Sequence, residues 1–279
     1  MKNKILLIYL VVSMNSCGFD KKGYEFKNFE NTPLNELAIA VKNNDVLEMQ
    51  QIIKHSKLNI NYLEPVNKQS LLSLSIVNEK EEAFLQLLQL GANPNIILGT
   101  YGQTSAITEA INNRSEQQIY FVKNLLKFNA NPNLEIIPNH NEFFLDYYPL
   151  ISAIRYTDED DLEIIKLLID NGANMYCCNP TINPKEFCEG VLEACLSGAN
   201  MVKLRYLIIE KKIKIPDIVF ILGSGNKKTQ EKLSLSEMLN TENFLFEDFV
   251  EEDGIKQTFN NQRKIKKEIL DYLKKTNQY

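Results

Sequence analysis

Tryptophan is absent from this chain of 279 residues, histidine occurs twice, and glycine and proline number only eleven and nine. Two histidines leave little ground for acid–base catalysis or a metal centre. His55 follows an apolar-periodic segment, where a surface or helix-end place suffices. His140 stands between Asn139 and Asn141, with no serine or cysteine nucleophile in a partner motif. Paired C-x-x-C spacing is missing, which removes zinc, and the carboxylates Asp158, Glu159, Asp160 and Asp161 read as a polar helix turn before they read as a calcium loop. Gly223 to Thr229 lacks the G-x-x-x-x-G-K-[ST] spacing of a phosphate loop and reads as a solvated turn. No metal and no cofactor is expected, and the chain reads as no enzyme. So little glycine and proline also argues against a disordered or low-complexity body. With a net charge of -5 and no basic cluster through its body, the chain is a poor nucleic-acid binder.

What is present begins with an export signal. Lys2 and Lys4 form a basic start, Ile5 to Met14 an apolar run, and Cys17 follows Ser16 directly. The run is shorter than the roughly 20 residues that cross a bilayer. The arrangement looks like a bacterial lipoprotein signal, in which residues 1–16 are removed and Cys17 becomes the lipidated N-terminus. An ordinary signal cut near Ser16, or a fortuitous apolar start, is the alternative. Residues 17–30 are then a tether, the protein is held on the periplasmic side of a membrane through its lipid alone, and loss of Lys2 and Lys4 leaves a net charge of -7. A 44% hydrophobic and 24% charged composition suits one sizeable domain.

The body is organised around Tyr148 to Asn174. Pro149 suits a first helical position, Leu150, Ala153 and Ile154 share one face, and 158–161 make a polar turn that supplies N-caps. Ile164, Ile165, Leu167, Leu168 and Ile169 form a second helix whose apolar stripe is too wide for a solvated one, and Asn171-Gly172 stops it. Two helices this short cannot bury both faces alone, and the small Ala153 admits a close neighbour. Copies exist. Thr32-Pro33-Leu34 leads to Leu37-Ala38 and then Val46 to Ile53. Ser70-Leu71-Leu72-Ser73-Leu74-Ser75 leads to Leu87-Leu88-x-Leu90-Gly91-Ala92-Asn93. Ser105-Ala106-Ile107-Thr108-Glu109-Ala110 leads to Leu125-Leu126-x-Phe128-Asn129-Ala130-Asn131. Val191-Leu192-Glu193-Ala194-Cys195 leads to apolars through Leu207, Ile208 and Ile209.

These copies resemble the ankyrin repeat, with its Thr-Pro-Leu-like start and its V-x-x-L-L-x-x-G-A-x-x-N ending. The resemblance covers residues 31–212 and implies an all-α, ankyrin-like helical solenoid of five to six helix pairs. Helix starts at 33, 71, 106, 149 and 191 lie 35 to 43 residues apart, against about 33 in the family. The surplus falls in 96–103, 134–147 and 175–187, where the family has β-hairpin fingers, so the fingers are enlarged. The family's Thr-Pro-Leu-His histidine, which ties neighbouring repeats, is replaced by Asn35, Ser73, Thr108 and Ile151.

Residues 213–279 leave the pattern and read as a degenerate repeat and helical cap. Ile218, Val219, Ile221 and Leu222 suggest a sixth first-helix. Ser234-Leu235-Ser236-Glu237 has capping-box spacing. A last helix from about Asn261 carries Ile265, Ile269, Leu270 and Leu273 on one side. Among the cysteines, a bond from Cys177 or Cys178 to Cys188 would staple a finger. Cys188 and Cys195, about 10 Å apart by helical rise, cannot pair, and buried or idle thiols are the plainer reading.

Stacks of this type bind proteins through their fingers and inner helices, so the resemblance implies a protein partner. Tyr101, His140, Phe143, Phe144, Tyr147, Tyr148, Tyr176 and Phe187 stand in the enlarged fingers. Exposed aromatics are over-represented among interface residues worth about 2 kcal/mol or more, although Phe144 and Tyr148 could equally pack beneath their own loop. A monomeric, acidic module favours a basic partner. Exported proteins of this kind include immunity proteins that neutralise an envelope-targeted toxin. A scaffold for a resident envelope enzyme, for example in oxidative-stress protection, is the alternative, and an enzyme using His140 a third.

Overall fold

The computed structural model describes residues 24–100, 103–136, 148–158, 160–179, 189–198, 200–222, 231–240 and 253–278. Five helix pairs follow one another, each where a sequence copy stands. They are α1 (Asn35–Lys42) with α2 (Val46–His55), α3 (Leu71–Val77) with α4 (Glu81–Gln89), and α5 (Ala106–Asn112) with α6 (Gln118–Lys127). Then come α7 (Pro149–Tyr156) with α8 (Glu163–Asp170), and α9 (Val191–Ser197) with α10 (Met201–Arg205), which runs on as a π-helical turn, Tyr206–Glu210. The first helices α1, α3, α5, α7 and α9 pack side by side as an inner row, and α2, α4, α6 and α8 as an outer row. This is an ankyrin-like stack.

Local chemistry sets the helix ends. Ser70 and Ser105 accept from the backbone N–H of Ser73 (3.1 Å) and Thr108 (3.3 Å), and Asp45 and Asn200 cap α2 and α10 in the same way. Pro149 opens α7. Asp161 accepts from Glu163 N at 2.8 Å, although Leu162 is the capping residue of α8. The stops Gly91, Asn129 and Gly172 have φ of 92°, 65° and 88°, the left-handed region that glycine and asparagine tolerate. The inner row is close-packed because small residues, Ala38, Ala106, Ala110, Ala153 and Ala194, lie buried between Leu37, Leu74, Ile107, Ile154 and Leu192.

Asparagines tie neighbouring copies together at the finger roots. At each finger root one asparagine side chain accepts from the backbone N–H two residues on: Asn59 from Asn61, Asn93 from Asn95, Asn131 from Asn133, and Asn174 from Tyr176, at 2.9–3.1 Å. The second asparagine then reaches the next copy. The Oδ1 atoms of Asn61, Asn95 and Asn133 accept from Asn93 N (2.8 Å), Asn131 N (2.7 Å) and Asn174 N (2.6 Å). Asn95 Nδ2 donates to Asn129 O (2.9 Å), and Asn133 Nδ2 to Gly172 O (2.8 Å). Tyr176 takes the position of the next second asparagine and ends the ladder. Two finger roots carry antiparallel pairing: a Leu98–Thr104 bridge, and β1 (Cys178–Asn179) with β2 (Glu189–Gly190).

The C-terminal part departs from the sequence reading in two places. The expected sixth first-helix is instead β3 (Phe220–Leu222), paired antiparallel with β4 (Glu231–Leu233). The apolar run is short, β-branched and held between Pro216 and Gly223, which suits a strand better than a helix. After α11 (Leu235–Asn240), whose Ser234 and Glu237 form the reciprocal capping box, the last helix α12 spans Asp253–Lys275. It starts earlier than expected because the apolar stripe marks only the covered portion, where Ile265, Ile269 and Leu273 are buried. It closes the stack against α10 and the π turn, and Arg205 holds Glu268 through two bonds of 2.9 and 3.0 Å. Among the described residues no helix is long and apolar enough to cross a membrane.

Removing one rung tests the ladder. Asn133→Ala deletes two inter-repeat hydrogen bonds and should lower stability by about 1–2 kcal/mol in urea unfolding, with Asn133→Asp, which keeps the acceptor, losing about half of that.

Candidate interaction surface

The finger side of the stack is built on the asparagine ladder, and two apolar side chains stand out from it. Tyr176 is 57% exposed and Val66 60%. Tyr176 is nonetheless fixed, with its backbone N–H on Asn174 and its hydroxyl accepting from Lys214 N at 3.3 Å. Val66 sits in a turn built round the buried Glu64 carboxylate, which accepts from the backbone of Val66 (2.7 Å), Asn67 (2.7 Å) and Gln69 (3.2 Å). Thr100 Oγ1 of the next finger donates to Val66 O at 3.3 Å. Rigid aromatic and aliphatic groups on a fixed backbone lose little entropy on docking.

Of the other residues expected here, Tyr148 caps α7 and is half-buried against the core, where burial pushes its phenol up, helped by Glu135 and Cys177. Tyr101, His140, Phe143, Phe144, Tyr147 and Phe187 lie outside the described residues, as does Cys17. His55 ends α2 at the surface, its Nδ1 2.8 Å from Gln51 O. Cys188, the partner expected for a finger staple, lies outside the described residues. Cys177 and Cys195 are buried, and burial pushes the Cys195 thiol up to about 12. Such a thiol is unreactive at neutral pH. Among the described residues no group of three or more His, Cys, Asp or Glu is placed to hold a metal ion.

The inner row carries polar groups that sequence reasoning passed over. Arg155 bonds Glu193 at 2.9 Å, both largely buried. Lys203, fully buried, donates to Ile154 O (3.0 Å) and Thr157 O (2.8 Å) and so satisfies the end of α7. The third group is a buried cluster. Tyr24, from the segment before the first repeat, donates its hydroxyl to Glu109 Oε1 on α5 at 2.8 Å, while Ser73 Oγ on α3 bonds Glu109 Oε2 and Gln69 Oε1 (2.9 Å).

Burial is the main reason that the Glu109 carboxyl rises to about 7, against the opposing bonds from Ser73 and Tyr24. Ser73 Oγ is the donor to both Glu109 Oε2 and Gln69 Oε1 and shares its one hydroxyl proton between them. The Tyr24 phenol is pushed far above its ordinary range by burial and by Glu109. One signal was legible beforehand: Glu109 interrupts an apolar run, Ala106 to Ile111, at the place where the neighbouring copies have Leu74 and Ser152.

No protein-family model and no curated protein matches the chain. Among solved structures it is similar to the human ASB11 ankyrin repeat domain, at 20% identity and a TM-score of 0.44, over 63% of this chain and 68% of that one.

Because folding raises the Glu109 value from 4.5 to about 7, folding favours its protonated form. Its contribution is fully present below pH 4.5 and is lost as pH rises through about 7, on the order of 3 kcal/mol in all. Urea titrations from about pH 4 to 8 should show wild type losing this increment relative to Glu109→Gln, which carries no charge at any of these pH values.

Proposed function

We propose that the chain is a protein-binding module, exported and anchored by lipid at Cys17 on the periplasmic side of a membrane, and that it neutralises an envelope-targeted toxin by binding it. The observation that carries the binding part is the finger side: exposed Tyr176 on a backbone held by the asparagine ladder, and exposed Val66 on a turn held by Glu64. Tyrosine is among the residues in which interface hot spots are enriched. The N-terminal run with its basic start and Cys17 supports export and anchoring. The acidic balance of the chain favours a basic partner by accelerating encounter. Neutralisation rests on the resemblance to exported ankyrin-type immunity proteins alone.

Two experiments test this reading. Cells labelled with radioactive palmitate should yield a labelled wild-type chain and an unlabelled Cys17→Ser chain; label on neither removes the lipid anchor. The mature protein, immobilised and exposed to envelope and secreted fractions of its own species, should capture one stoichiometric partner that is toxic when sent alone to the periplasm. Tyr176→Ala should weaken that capture about 30-fold or more, the effect of a hot-spot residue. Recovery of a resident enzyme with no toxicity would replace neutralisation by scaffolding.

A further inference from the structure

Residues 24–29 come before the first repeat, yet they are packed into the stack. Phe29, in a 3-10 turn Phe26–Phe29, is fully buried against α1, and Phe26 packs on the core. Tyr24 reaches past the first copy altogether. Its carbonyl accepts from Asn78 Nδ2 at the end of α3 (3.1 Å), and its hydroxyl enters the Glu109 cluster on α5. One short segment thus bridges the second and third copies on the inner row.

The carboxyl that receives it bonds Ser73 of the neighbouring first helix through one oxygen and this segment through the other. Neighbouring copies fill the corresponding place with Leu74 and Ser152, and a buried carboxyl costs more than either unless its oxygens find donors. Both Glu109 oxygens are engaged, one by Ser73 within the row and the other by Tyr24 from outside it. Without Tyr24 the row would bury a carboxyl oxygen lacking this donor. Oε1 is therefore the oxygen that takes its donor from outside the row.

We propose that Glu109, Ser73 and Gln69 form a recognition socket for a phenolic hydroxyl on the inner row, and that the chain's own Tyr24 fills it, strapping residues 24–29 across α3 and α5. A tyrosine of another chain reaches the socket only after this strap has left. The inference stands on the Tyr24 contacts and is independent of lipid anchoring and of toxin binding.

A chemical-rescue experiment tests it. The mature chain carrying Tyr24→Ala is titrated with p-cresol and, separately, with toluene, which has the same shape without the hydroxyl, following protection of α3 and α5 from hydrogen exchange. p-Cresol should restore protection at a concentration at least 10-fold lower than toluene, because a site built to bond a hydroxyl rejects the analogue that lacks one. Wild type, its socket filled, should respond to neither. Equal responses to the two compounds, no response from the folded variant, or a p-cresol response in wild type would each overturn the proposal. Should Tyr24→Ala fail to fold, Tyr24→Phe keeps the ring. Exchange of residues 24–30 in that variant should then rise at least 10-fold, and by more than exchange of α8 rises. Unchanged exchange would overturn the strap.

Discussion

A helix of seven or eight residues is not stable alone in water, because nucleation costs more than so few hydrogen bonds return. Every first helix of this protein is that short, and α3 is buried along its whole length from Leu71 to Val77. Each helix therefore exists because its neighbours in the row cover it. Alanines let the row close up, leucines and isoleucines fill the space between the rows, and α12 covers the end of the stack at α10. Phe84, Tyr120 and Phe121 perform the same service in the outer row, with Phe84 meeting Phe121 edge-on at 4.9 Å between centroids.

Side-by-side packing alone leaves the row free to slide, since apolar contact has little direction. Hydrogen bonds supply the register. At the finger roots each asparagine side chain presents an acceptor to one backbone N–H and, twice, a donor to the carbonyl beside the helix stop. An amide can do both at once, and a carboxylate cannot. At the other end of the helices Asn44 reaches the next pair, accepting from Ala83 N at 2.8 Å and donating to Glu82. A finger grafted on such a root inherits a fixed position whatever its own length, which lets the fingers of this chain be long while the helices keep their spacing.

The buried polar groups divide by what they serve. Lys203 completes a helix end, Arg155 and Glu193 neutralise each other, and Glu64 organises a turn. Each is satisfied within the repeats. Glu109 differs because one of its donors comes from the segment before the first repeat, which thereby bridges α3 and α5. The finger side has no such cover at Tyr176 and Val66.

The helix pairs, their caps and their stops were legible in the chain itself, because each depends on residues within one turn of one another: Ser70 and Ser105 as caps, Pro149 at a helix start, Gly91, Asn129 and Gly172 as left-handed stops. The repetition then implied the stack, since no single copy could bury its own apolar faces. Long-range hydrogen bonding was not legible. Asn95 and Asn133 look like ordinary loop asparagines until the fold brings the next copy's backbone to them, and Ile221 and Leu222 look helical until β4 lies alongside. Tyr24 and Glu109 are 85 residues apart, and no local pattern links them. Periodicity reports which face of an element is apolar; which polar groups meet across that face depends on the distances that packing sets, and those exist only in the folded stack.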